Sequence, residues 1–484
     1  MAATLSSTAN DTRSAARSVT AQVLSGTGQQ SLARVLSSLC SFAALLMVSR
    51  LPDKREFGIY SYYLTAFAMA GTFINFGANG IAVREMSRFP ERVGWLLGAV
   101  IKFKLKAGVL GFLAMLALAL THEADAWSTV LVSIAALHLV PLAYSSAVTA
   151  LHAELKFLVP SVALVAGMGA FVAGSFVAYE LGAGRAGVYL ILYAMGQLVQ
   201  AGILFVVVRR RVVITYGQAW RELKPLVREM APIGISAVAA TTYYFINTIL
   251  LRDLRGDVEV GLFNAAYRLI TLAIMVPTCF TQALFPVLSR EAHGDPRRFG
   301  LMLQQSVLFL TLIGAPITAA LQLLAPRVID TLYQPAFAPS AQLLKWLSWA
   351  MLCIFASSPL VTALTAQGRQ AVFTRVAVGA GAFNVALNLI LIPRLGLVGA
   401  AVTTVATEGL VLGACLVALV RCSLVPVIGR ELWLKVPVVC GVVLAAAALV
   451  QSWPLWLAIA TLGAVQIVVL YALRCLPPDL TRAP

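Results

Sequence analysis

Glu408 is the only carboxylate deep inside a long apolar stretch of this chain, with Thr404 one turn earlier on the same helical face and Thr407 beside it. A carboxylate in hydrocarbon cannot easily reach water, because each helical turn advances only about 5.4 Å. Ionisable groups in such places are costly and are kept for a purpose or neutralised. Glu408 therefore reads as a proton or cation site, as the partner of an inward-facing arginine, or as a neutral acid hydrogen-bonded between helices. Arg34 and Arg268 fall within apolar stretches too, and either line an interior path or snorkel to an interface. Asn384 and Asn388 form an i, i+4 polar pair, and Asn247 lies close to Tyr243 and Tyr244. These amides bind a polar ligand or bond neighbouring helices to one another. Lys102, Lys104 and Lys106 share a segment, but only Lys102 and Lys106 share a face, so snorkelling to anionic lipid is the expectation for the group. Lys345 opens a further apolar stretch at its interface.

The elements that must position these groups follow from composition. Of 484 residues 60% are hydrophobic and only 12% charged, against about 25% charged in a soluble domain. Mean hydropathy is +0.87. The apolar residues come in runs such as Val35–Ser49, Val109–Leu120 and Val436–Val450. A spanning helix needs roughly 20 such residues, and in lipid the backbone must satisfy itself within the segment. Fourteen spans are expected, at about 29–49, 57–80, 96–120, 127–149, 158–178, 187–208, 230–251, 261–288, 301–324, 341–364, 371–392, 396–419, 432–450 and 453–473. The fold class is an all-α membrane protein.

The net charge of +16 does not indicate nucleic acid, because Lys and Arg recur in short clusters between apolar runs. With the N-terminus inside, the cytoplasmic segments hold 22 cations and the opposite loops 8, which places both termini in the cytoplasm. The seven cysteines form no CxxC pair, and the four histidines show no metal-ligand spacing. No GxxxxGK[ST] nucleotide loop is present, and no cofactor is expected. Residues 1–28 read as a polar cytoplasmic tail without a signal peptide.

The chain also repeats itself. Glu56-Phe57-Gly58-Ile59-Tyr60 returns as Glu259-Val260-Gly261-Leu262-Phe263, Thr149–Ala153 as Thr362–Ala366, and Arg84-Glu85 as Arg290-Glu291. The echoes keep their order, so a six-helix unit is expected at 29–208 and again at 230–420. A basic linker at 209–229, which reads as an amphipathic helix or a plain solvated linker, joins them. Two added helices and a short tail fill 421–484. Duplicated halves place a site between them, near the midplane.

Asn388-Leu-Ile-Leu-Ile-Pro-Arg-Leu-Gly-Leu-Val-Gly-Ala-Ala-Val-Thr-Thr404, Arg50–Tyr60, Gly261–Arg268 and Thr365–Arg369 resemble the Wzx-type polysaccharide repeat-unit flippases of the multidrug/oligosaccharidyl-lipid/polysaccharide exporter superfamily. In the first stretch Pro393 is expected to stop one helix, Gly396 to allow the reversal and Gly399 to Ala401 to admit close packing. The resemblance implies two six-helix lobes around a central cavity and alternating access without covalent catalysis. The implied activity is translocation of undecaprenyl-diphosphate-linked oligosaccharide to the periplasmic leaflet for exopolysaccharide, capsule or O-antigen synthesis. A proton or sodium gradient is a plausible drive, and the buried Glu408 is the candidate coupling group on the reading of the residues given above. Arg34, Arg268, Asn247, Asn384 and Asn388 would meet the substrate. The implied setting is the bacterial inner membrane, among membrane lipids, a polysaccharide polymerase and export machinery. A drug/sodium or drug/proton antiporter of the same superfamily is the alternative, and a membrane polymerase or ligase is disfavoured by the short periplasmic loops.

Overall fold

The computed structural model describes residues 28–30, 32–51, 53–123, 125–217, 220–292, 294–421 and 430–472. Of the expected N-terminal tail at 1–28 all but Gly28 lies outside them, as do residues 473–484, Cys422 and His293. The described chain is helical: α1 (Gly28–Val48), α2 (Lys54–Asn75), α3 (Ala78–Arg88), α4 (Val93–His122), α5 (Ala126–Ala136), α6 (Val148–Ala153), α7 (Leu158–Glu180), α8 (Ala186–Arg209), α9 (Trp220–Arg255), α10 (Asp257–Glu291), α11 (Pro296–Leu332), α12 (Ser340–Ala366), α13 (Gln370–Leu395), α14 (Leu397–Val420), α15 (Arg430–Leu449) and α16 (Leu455–Ala472). Thirteen spans are long and apolar enough to cross a membrane, and the shorter apolar helix Leu434–Leu449 stands where the fourteenth was expected. From Trp220 onward the basic linker is already helix, continuous with the next span.

The chain divides into two compact units. The first runs through Leu51 and resumes at Tyr63–Val238, and the second holds Pro52–Tyr62 and everything from Ala239. In the first unit, Ile81, Met86, Leu97, Ile101, Leu151 and Leu204 belong to one buried apolar cluster. Its fourth span is not one helix, as expected, but α5 and α6 joined by 3-10 turns at Leu137–Leu139 and Pro141–Ala147. Pro141 has no N–H to return to the Leu137 carbonyl, which instead accepts from the Val140 N–H at 3.2 Å. Asp125 caps α5, accepting from the Trp127 and Ser128 N–H groups. It also pairs with Arg185, whose guanidinium holds the carboxyl below its ordinary range.

The second span is also interrupted. Phe76 and Gly77 take left-handed φ values of 37° and 77°, which separate α2 from α3. The break lets Gly77 approach the α9 backbone, where a Cβ would stand 3.0 Å from the Gly234 nitrogen and the Met230 carbonyl. Just beyond the break, the Asn79 Oδ1 accepts from the Lys104 Nζ at 2.7 Å. Lys104 is therefore buried within the unit, at 4% exposure, rather than snorkelling. Lys106 is exposed, as expected. No carboxylate pairs with Lys104 among the described residues. Asn79→Leu is expected to destabilise the protein by about 2–3 kcal/mol, because it strands a buried donor. Lys104→Met removes the charge together with its need for a partner and should restore most of that loss. Thermal melting of both single variants and the double variant in detergent checks this. Additive losses in the double variant would contradict the pairing.

In the second unit two buried apolar clusters form. One joins Leu288, Leu303, Leu360, Leu364 and Leu419, and the other joins Leu312 and Leu324 to Val439, Ala447 and Ala458. The added helices α15 and α16 thus pack on α11. Pro316 cannot bond the Leu312 carbonyl, and Gln466 of α16 donates to it at 3.2 Å. Pro393 does not stop α13, which continues to Leu395. A proline only withholds one N–H, and the carbonyls of Ile392 and Pro393 at the helix end accept from Arg255. The chain turns at Gly396 (φ 58°), and Gly399 lets α14 lie against the Leu391 carbonyl.

Candidate functional site

Three helices of the second unit carry polar residues at i, i+4 spacing inside otherwise apolar sequence: Tyr243 and Asn247 on α9, Asn384 and Asn388 on α13, Thr404 and Glu408 on α14. Residues four apart share a helical face. The spacing therefore lets two helices meet in paired rungs. The Tyr243 hydroxyl donates to Glu408 Oε1, and one turn along, Asn247 Nδ2 donates to Thr404 Oγ1 at 2.8 Å.

The third helix closes the network. Asn388 Nδ2 donates to Asn247 Oδ1 at 2.5 Å and to Asn384 Oδ1 at 2.8 Å, and Asn384 Nδ2 donates to Thr407 Oγ1 at 3.1 Å. The Thr404 and Thr407 hydroxyls donate hydrogen bonds to the Ala400 and Thr403 carbonyls. Asn247, Asn384, Asn388 and Glu408 are 4%, 1%, 0% and 5% exposed, and Tyr243 is partly buried. The Oδ1 of Asn388 is enclosed without a donor.

Electrostatics decide what the cluster can do. Among the described residues no basic side chain forms an ion pair with Glu408, whose described side-chain partner is Tyr243. A buried carboxylate with no counter-charge is stable only when it carries a proton or faces a bound cation. The surrounding oxygens, from an amide and from hydroxyls, are hard donors of the kind that small cations take. They lack the nitrogen and sulfur ligands a transition metal would need. No group of three or more His, Cys, Asp or Glu suited to a metal ion occurs among the described residues.

Four of the six residues singled out in the sequence thus come together. Arg34 lies elsewhere, on an exposed face of α1 in the first unit. Arg268 is half-buried on α10 in the second unit, with its Nε enclosed and without a hydrogen-bond partner. The sequence named Tyr243, Thr404 and Thr407 only as neighbours of Asn247 and Glu408, and the structure brings all three into the cluster. Their signal was present, since each stands four residues from another polar group or beside one in an apolar span.

A family model described as polysaccharide biosynthesis protein matches residues 23–291. The chain belongs to the polysaccharide biosynthesis protein family. The resemblance to Wzx-type flippases, read from its motifs, agrees with that membership. A second model, MatE, matches residues 232–390 of this family member, including the α9 and α13 parts of the cluster. Over 123 residues the chain is 26% identical to an uncharacterized membrane protein of Methanocaldococcus jannaschii, a match spanning 25% of this chain and 24% of that relative. Solved structures share the fold. Lipid II flippase MurJ in an inward closed conformation aligns with a TM-score of 0.72 at 14% identity, over 93% of this chain and 99% of MurJ. An inward-facing multidrug resistance MATE family transporter aligns at 0.67 and 16%, over 80% and 94%. A MOP superfamily transporter from Pyrococcus furiosus aligns at 0.59 and 15%, over 83% and 96%. The fold of this polysaccharide biosynthesis family member is the one these transporters share.

Proposed function

We propose that this protein carries undecaprenyl-diphosphate-linked oligosaccharide from the cytoplasmic to the periplasmic leaflet, driven by a proton or sodium gradient that acts at the Glu408 cluster. The observation that carries this reading is the polysaccharide biosynthesis family match over more than half of the chain, residues 23–291. An oligosaccharide diphosphate is too polar to cross hydrocarbon unaided. Its passage needs cationic contacts that an isoprenoid tail does not, and Arg34 and Arg268 are the residues assigned to the diphosphate. Arginine suits the task through its bidentate donors. For the tail, the second unit has an apolar cavity of about 380 Å³ among α10, α11, α12, α15 and α16, lined by residues such as Leu269, Ile317, Leu324, Val443 and Leu462.

In this reading the protein does no covalent chemistry. It sits in the bacterial inner membrane with both termini in the cytoplasm, and hands its cargo to a polysaccharide polymerase and export machinery for exopolysaccharide, capsule or O-antigen assembly. The MatE match over 232–390 favours one other reading, an ion-coupled drug antiporter. Proteoliposomes separate the two. The purified protein should expose a diphosphate-prenol oligosaccharide to an external glycosidase in a gradient-dependent way and should not accumulate cationic drugs. Drug uptake without oligosaccharide exposure would reverse the assignment.

A further inference from the structure

In the first unit, the end of α3, the start of α4, the end of α6 and the stretch that follows α8 enclose a cavity of about 540 Å³. That volume lies within the range that small-molecule sites occupy. Backbone contacts hold the stretch after α8 against α4. The Thr215 N–H donates to the Gly94 carbonyl at 3.3 Å, and a Cβ on Gly94 would stand 2.1 Å from the Val213 carbonyl oxygen. Glycine at 94 therefore permits the close approach that makes this wall.

Met86, Val93, Trp95 and Val212 give the cavity an apolar side. The charges that line it are those of Glu91, Glu154 and Arg211. Glu154 is already matched, since its Oε2 accepts from Lys156 Nζ at 2.6 Å. Glu91 and Arg211 are not. Among the described residues neither side chain takes part in an ion pair or hydrogen bond, and although they line one cavity they do not pair with each other. The arginines nearest to Glu91 in sequence, Arg88 and Arg92, lie instead over the Phe89 ring, 5.4 and 5.6 Å from its centroid.

One anionic and one cationic group, held apart across a half-apolar cavity, suit a ligand that carries both charges itself. A phosphate diester fits Arg211, whose guanidinium binds phosphate oxygens through paired N–H donors. A primary ammonium fits Glu91, to which it gives a charge-assisted hydrogen bond. A purely anionic ligand would be repelled by Glu91, and a purely cationic one by Arg211.

Position selects a lipid over a soluble molecule. The cavity lies where the spans Lys54–Arg88, Pro90–His122, Ala126–Ala153 and Ala186–Arg209 end or begin, at the edge of the hydrocarbon. In its wall Val213 is 87% exposed two residues from Arg211, and Tyr216 is exposed beside it. Apolar and tyrosine side chains outward among arginines suit the head-group layer.

We propose that this cavity binds the head group of a zwitterionic phospholipid with a primary ammonium, its phosphate on Arg211 and its ammonium on Glu91. The site uses no residue of the Glu408 cluster, and it needs no assumption about the transported cargo.

The test titrates the delipidated full chain in detergent with short-chain phosphatidylethanolamine, phosphatidylcholine and phosphatidylglycerol, and reads bound lipid by native mass spectrometry. Phosphatidylethanolamine should bind about tenfold or more tightly than the other two, because choline has no N–H to donate and the glycerol head has no cation. Glu91→Gln should erase the preference over choline. Arg211→Gln should weaken the ethanolamine and choline lipids alike, by about tenfold. Both side chains are exposed, so both variants should fold, and lipid-free melting temperatures matching the wild type check that. Equal binding of the three lipids, tighter binding of phosphatidylglycerol, or a preference that survives Glu91→Gln overturns the proposal. Water-soluble glycerophosphoethanolamine that binds as tightly as the lipid overturns it too, in favour of a soluble ligand.

Discussion

Glu408→Gln is expected to abolish gradient-driven transport while leaving the protein folded and inserted. Glutamine keeps the volume of the side chain and an oxygen to accept from Tyr243, so the α9–α14 rungs survive. What is lost is the ability to exchange a proton or to balance a cation. Hydrogen bonds and contacts to a charged group contribute about 1.5–3 kcal/mol, so apparent ion affinity should fall roughly 10- to 150-fold. Tyr243→Phe removes one bond to the same carboxylate and should weaken coupling by about tenfold without eliminating it. The measurement is oligosaccharide exposure in proteoliposomes with and without an imposed proton or sodium gradient. A Glu408→Gln protein whose rate still rises with the gradient as the wild type does would remove Glu408 from the coupling role.

Replacing Arg34 and Arg268 together with Ala is expected to block transport at unchanged protein levels. Neither arginine takes part in a described ion pair, and Arg268 keeps an enclosed Nε without a partner. Their removal should therefore cost little stability. If they hold the diphosphate, each contributes a charge-assisted bond, and their joint loss of about 3 kcal/mol corresponds to at least a hundredfold in rate or affinity. Lys at both positions keeps the charge but not the fork and should recover part of the activity. Accumulation of lipid-linked repeat units on the cytoplasmic face, read in cells at matched expression, checks the result. Normal export by the double alanine variant would sink the diphosphate assignment.

The limits of reading one chain show at particular residues. Arg34 and Glu408 look alike in sequence, each an ion inside an apolar run. Only packing separates them, since one lies on an exposed helix face and the other is sealed among α9, α13 and α14. The lysine triplet gives the same lesson. Helical period alone sets Lys104 apart from Lys102 and Lys106, but its burial depends on Asn79 arriving there, which the break at Phe76 and Gly77 makes possible. Gly77 permits that break locally, but its partner, the α9 backbone at Met230 and Gly234, lies far away in sequence.

Membrane insertion, the number of spans and the repeated motifs were determined by the sequence itself. Apolar length and periodic charge act on each segment separately, and lipid forces every such segment into a helix. The rotation of one helix about its axis relative to its neighbours is not a local property. It sets whether Tyr243 meets Glu408 and whether Lys104 meets Asn79. Those choices were made by side chains far apart in sequence packing together, and only the tertiary structure decided them.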